Sequence, residues 1–239
     1  MIKSTCRSPR ARSVVLWTGM LALAALLAAP ALAQSNGTVQ IGGSVSPAVK
    51  FTSGGAAMLT GNLGGAVTTQ SAADAALATV VNFGDVGPGN SNAYVCFNQP
   101  LYLRANGAST LSAAVTAESF GAGVSDVHKS DIGFGFQNLA AGGPNASIAT
   151  TTITAAYNAD PCAAAKDPDG VPSYSASLAS VGTAAPGTAV IVSTGPISLR
   201  GNFNSQSNEA DVDLKLAIAP QNYTVGAFSA TLTMTLTSP

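Results

Sequence analysis

A single histidine, two cysteines in the body of the chain and three groups of carboxylates are the residues here whose types could do chemistry. His128 lies in Ser125-Asp126-Val127-His128-Lys129-Ser130-Asp131, where Asp126 or Asp131 could orient an imidazole. No Gly-x-Ser-x-Gly elbow, phosphate-binding loop or His-Glu-x-x-His segment accompanies it, so the patch reads as an exposed loop. Asp160, Asp167 and Asp169 share one loop, but the EF-hand spacing and closing Glu of a calcium loop are missing. Glu209, Asp211 and Asp213 alternate along a stretch of period two, which places them on one side of a strand as a solvated acidic face. Two carboxylates suffice for glycoside cleavage. The only tryptophan, Trp17, however, falls in the N-terminal segment and supplies no sugar platform. No catalytic residue, cofactor or metal is expected, and the chain reads as a non-enzyme. Tyr94, Asn98, Gln99 and Tyr102 could line a glycan-binding surface, against which stands their reading as core residues of strands.

The composition points to the elements that must position such residues. The chain has 239 residues, with Lys+Arg 10 against Asp+Glu 11 and a formal net charge of −1. Charged residues make up 9%, well under the usual share of about 25%. Without clustered cations there is no basis for nucleic-acid binding. With 46% hydrophobic residues the chain does not have the composition of a disordered polymer. It suggests a neutral, secreted, β-rich scaffold.

The N-terminus has the three-part layout of a secretory signal. Lys3, Arg7, Arg10 and Arg12 come first, an apolar run from Val14 to Leu27 follows, and Pro30-Ala31-Leu32-Ala33 closes it. Residues 1–33 are therefore expected to be cleaved, leaving 34–239 as one domain with no stable membrane span. The alternative is a retained anchor, since the uncharged run is long enough to cross a bilayer. Cleavage removes Cys6 and four cations, so the mature chain is acidic and keeps Cys96 and Cys162. In an oxidising compartment a Cys96–Cys162 disulfide is the default. Its long loop would make it worth on the order of 4 kcal/mol in the chain-entropy account.

Strand patterns run the length of that domain. Phe228, Ala230, Leu232, Met234 and Leu236 alternate with Ser229, Thr231, Thr233, Thr235 and Thr237, giving an apolar and a hydroxyl face. Val212, Leu214, Leu216 and Ile218 alternate upstream, and the two strands are either antiparallel neighbours or joined by a crossover between sheets. Val39, Ile41, Val45, Val49 and Phe51 share one parity within 38–51, where Pro47 implies an edge or a bend. Further strands are expected at 79–83, 93–97, 101–104, 110–116, 132–137, 148–155, 189–192 and 197–203. Two alanine-rich stretches, 71–78 and 161–166, are the only possible helices. Gly, Pro, Asn and Asp fill nearly every gap, so the fold expected is all-β: an immunoglobulin-like or related antiparallel β-sandwich.

Three segments carry a resemblance. Val81-Asn82-Phe83-Gly84-Asp85-Val86-Gly87-Pro88-Gly89, Tyr94-Val95-Cys96-Phe97-Asn98-Gln99-Pro100-Leu101-Tyr102-Leu103 and Tyr223–Leu236 together resemble the spore-coat-protein-U-like and chaperone–usher pilin superfamily. The mature chain is longer than a typical pilin domain, and Cys162 falls in an alanine-rich loop. The resemblance implies an exported subunit of a surface appendage or coat that passes through the periplasm to the cell surface or fimbrium. It implies assembly by strand addition with like subunits, or with a periplasmic chaperone and usher. Residues 38–51 are either the donor strand for a neighbour or the first strand of their own sandwich. Candidate assembly positions are Val39, Ile41, Val45, Val49 and Phe51 at one end and Phe228, Leu232, Met234 and Leu236 at the other. The alternative is a monomeric secreted module that binds surface glycans.

Overall fold

Alternating β-branched and small residues, punctuated by Gly, Pro and Asn, fold as strands throughout the described part of the chain. In the computed structural model the residues described are 42–61, 64–88, 93–120 and 126–239. The expected signal segment and residues 38–41 lie outside them. In order the strands are β1 (Val49–Ser53), β2 (Met58–Thr60), β3 (Ala66–Thr69), β4 (Val80–Asn82), β5 (Val95–Ala105), β6 (Ser109–Ser119) and β7 (Ile132–Ala141). They continue as β8 (Thr151–Ile153), β9 (Ala165–Lys166), β10 (Pro172–Ser173), β11 (Thr188–Ser193), β12 (Ala210–Ile218) and β13 (Ser229–Thr237). No α-helix forms among the described residues. The stretch 71–78 is a loop, and 161–166 contributes the short 3-10 turn Pro161–Ala163 and the two-residue strand β9.

Two antiparallel sheets make a sandwich. The first runs β1-β5-β12-β7, with β2 also on β5, and the second runs β13-β6-β11-β8. Their facing side chains form one core that includes Leu101, Leu103, Phe134, Phe136 and Val212 from the first sheet and Leu111, Val115, Val190 and Ile191 from the second. Residues 46–239 form one unit; in the unit ahead of it, the described residues 42–45 carry no regular structure. β12 and β13 lie in different sheets, so residues 219–228 are a crossover rather than a hairpin.

β5 shows how sequence and topology meet. The segments 93–97 and 101–104 join into one strand that passes straight through Pro100. Within a strand, a residue's N–H and C=O point to the same side. Pro100 accepts from Gly54 N at 2.8 Å on the β1 side. Its missing N–H therefore faces the gap between β1, which ends opposite Leu101, and β2, which starts opposite Asn98. No ladder bond is lost there. Gly54 is required by the same contact, because a Cβ on it would sit 2.8 Å from Pro100 Cβ.

The long excursion between β8 and β11 packs on the outer face of the first sheet. Cys162 is bonded to Cys96 of β5, with Cα atoms 5.8 Å apart. Tyr94 Oη donates to Ala164 O at 2.9 Å, and Lys166 Nζ lies 4.5 Å from the Tyr94 ring centroid. Gly133 of β7 leaves room for Tyr174, whose ring would be 2.4 Å from an added Cβ. Phe134 N donates to Ala176 O, so the excursion also covers the outer edge of β7. One expected strand does not form. Residues 197–203 are loop, since Ile197 N and Ser198 N both turn onto Ala105 O at the end of β5.

Candidate functional site

Among the described residues β13 is an edge strand: it pairs with β6 alone, and every second residue of its nine turns unpartnered main chain to the opposite side. Its apolar side chains are only half-buried: Leu232, Met234 and Leu236 touch the core without being enclosed by it. Beside its first half lies an apolar groove of about 730 Å³. The floor is Phe97 of β5 with Leu214 and Leu216 of β12. One wall is Leu232 and Met234, and the other is Leu77 and Val81 from the segment around β4. Phe51 of β1 closes one end. Alongside β13, β6 carries an extra residue, Thr116, between the partners of Thr231 and Leu232, and a bulge of this kind increases the local twist. Thr116 and Thr233 join hydroxyls across the bulge at 2.8 Å.

The assembly candidates distribute as follows. Leu232, Met234 and Leu236 lie on β13, and Phe228 just ahead of it stacks on Phe120 with centroids 6.0 Å apart. Val49 and Phe51 are in β1, opposite Ala105 and Leu103. Val45 is exposed coil. Val39 and Ile41 lie outside the described residues. Residues 49–51 are thus engaged within their own chain, and any donor role falls to the stretch before β1.

Behind the groove is a buried ionic cluster that sequence reasoning missed. Arg104 is fully buried on the outer face of β5. Its Nη1 is 2.6 Å from Asp74 Oδ1, its Nη2 contacts Glu209 Oε2, and its Nε has no partner. Glu209 is only 2% exposed, so the expectation of a solvated acidic face fails at its first member. Burial pushes the Glu209 carboxyl up to about 7 against the pull of Arg104. Asp74 moves the other way: its hydrogen bond with Arg104 lowers its pKa despite some desolvation. Burial raises Asp211, and Asp213 adds to the effect. Asp213 itself accepts from Asn138 Nδ2 at 2.7 Å. The sequence offered only Arg104 within an alternating strand and, 105 residues on, the alternating acids, and nothing local marked the cation as buried.

The other candidates remain apart. His128 is exposed beside a short 3-10 turn, its N–H held by Asp131 Oδ2 at 2.7 Å. Asp126 exchanges hydrogen bonds with Thr224 rather than with the imidazole. Asp160 caps Cys162 N, and Asp167 accepts from the N–H groups of Asp169 and Val171. No group of three metal-capable side chains occurs among the described residues. Gln99 faces the interior, where Thr79 Oγ1 donates to its Oε1 at 2.6 Å. Asn98, Tyr94 and Tyr102 lie on the opposite face of the strand, so the four do not converge as a glycan surface. No described helix is long and apolar enough to cross a membrane. Comparison with protein-family models, with curated proteins and with solved structures returns no match.

Proposed function

We propose that this protein is an exported structural subunit that assembles with copies of itself by strand addition along β13. The observation that carries this reading is the edge of β13, unpaired among the described residues, beside an open apolar groove. An exposed main-chain edge next to half-buried Leu232 and Met234 is a template for pairing. The occupant is the segment before β1 of a neighbouring copy. Val39, Ile41 and Val45 share one parity there, and the 11 residues from Asn36 to Ser46 would extend about 35 Å, enough to run the length of β13 at about 30 Å. Main-chain bonds supply affinity, and alternate side chains entering the groove set the register. A periplasmic chaperone strand would fill the same groove in transit.

The test compares the mature chain, residues 34–239, with a form lacking 34–45, using size-exclusion chromatography with light scattering. Multimers from the first and folded monomer from the second are expected. A second variant, Leu232→Asp, places a charge in the groove and is expected to leave a folded monomer by circular dichroism. A mature chain that stays monomeric at high concentration, or a deletion that assembles as well as the parent, overturns the reading.

A further inference from the structure

The wall of the groove opposite β13 belongs to neither main sheet. β3 and β4 pair only with each other, and the loop between them, residues 70–79, crosses the edge of the first sheet at β1. A two-stranded hairpin has little stability of its own, and residues 66–69 and 80–82 are largely exposed. Val67, Leu77 and Val81 pack it against the core, and a row of attachments along its loop adds to this, among them Gln70 Nε2 donating to Ala57 O and Ser53 Oγ to Ser71 O. Asp74 N donates to Ser53 O and Ser53 N to Ala75 O, each at 2.9 Å. Thr79 Oγ1 bonds Gln99, and Asp74 completes the charge pairing of buried Arg104.

We infer that residues 66–82 are a hinged flap over the groove, latched by Asp74 on Arg104, which opens to admit a docking strand. The inference rests on the groove being a docking site. When Asp74 leaves, Glu209 stays beside Arg104, and the release costs the one charged hydrogen bond that Arg104 Nη1 makes to Asp74. The Asp74 side chain is reached by solvent, being 32% exposed where Arg104 is 0%. Freeing the loop withdraws Leu77 and Val81 from the groove and widens it beside Leu232.

The experiment uses Asp74→Asn in the mature chain. Asn tolerates the left-handed backbone found there, φ 63°, so the change removes charge without adding strain. Hydrogen exchange is expected to speed up about tenfold at amides in 66–82 while the amides of β5 and β12 are unchanged, as for loss of one charged hydrogen bond. A synthetic peptide of residues 36–46 is expected to associate faster with the variant than with the parent. Thr79→Val, which removes a neutral attachment instead, is expected to give a smaller change of the same kind. Unchanged exchange in 66–82, or a rise shared by the whole sandwich, overturns the latch. Faster exchange with no gain in peptide association overturns the gate. Peptide binding to neither protein overturns the docking site and the gate with it, while the exchange result still reports on the latch alone.

Discussion

Arg104 is the cation on which the buried ionic cluster turns. It is fully buried with two carboxylates, and removing it leaves Glu209 as an uncompensated buried charge. Arg104→Met is therefore expected to cost about 3–5 kcal/mol, read from the shift in urea midpoint at constant slope. The pH dependence has two limbs. Glu209 has a folded pKa near 7 against 4.5 for the free group, so the folded state binds its proton more readily. Its contribution is fully present below about 4.5 and is lost as pH rises through about 7. Asp74 acts in the opposite sense: its folded pKa is below 3.8, so its contribution is present above that and lost on further acidification. Stability should rise from pH 7 to about 4.5 and then fall. Glu209→Gln should flatten the upper limb, leaving only a slope of the same sign due to Asp211, and leave the acid limb in place. Chemical denaturation across pH reads both.

At the scale of elements, the disulfide and the strand edges matter most. Cys96–Cys162 ties the excursion between β8 and β11 to the outer face of β5. The paired change Cys96→Ser, Cys162→Ser is expected to cost about 2–4 kcal/mol. Limited proteolysis should then cut first within 155–177, since that layer is otherwise held by a few contacts such as Tyr94 on Ala164. β7 and β13 illustrate contrasting fates of an edge. The edge of β7 is covered by Ala176 and Ser177, whereas no described residue pairs with the outer side of β13. The alternation of Leu232, Met234 and Leu236 with threonines identified β13 as a strand. It did not identify an edge, because side-chain period reports which face is apolar and says nothing about which neighbour is present.

For the whole molecule, the low charge content bears on assembly. A contact made of main-chain bonds and apolar side chains should survive salt that collapses charge pairing. Raising ionic strength from about 0.1 to 1 M shortens the screening length from about 10 to 3 Å. Multimers of the mature chain are expected to persist unchanged by light scattering across that range. Dissociation in high salt would place the driving force in surface charge instead.

The sequence by itself determined the class of fold. Period-two alternation in β5, β12 and β13, turn residues between them and the scarcity of helical patterns leave little but antiparallel sheets, and two cysteines in the body of the chain left one disulfide pairing available. These features are local, set by which residues fit a pleated surface and which break it. The tertiary structure decided the rest. It sent β12 and β13 to different sheets, turned 197–203 into loop at the end of β5, buried Glu209 on Arg104 and set β13 beside an apolar groove, at an edge that no other described strand pairs. Each of these depends on residues distant in the chain, such as Asp74, Arg104 and Glu209. Desolvation and pairing of charges are properties of a folded neighbourhood, and no short window of sequence contains that neighbourhood.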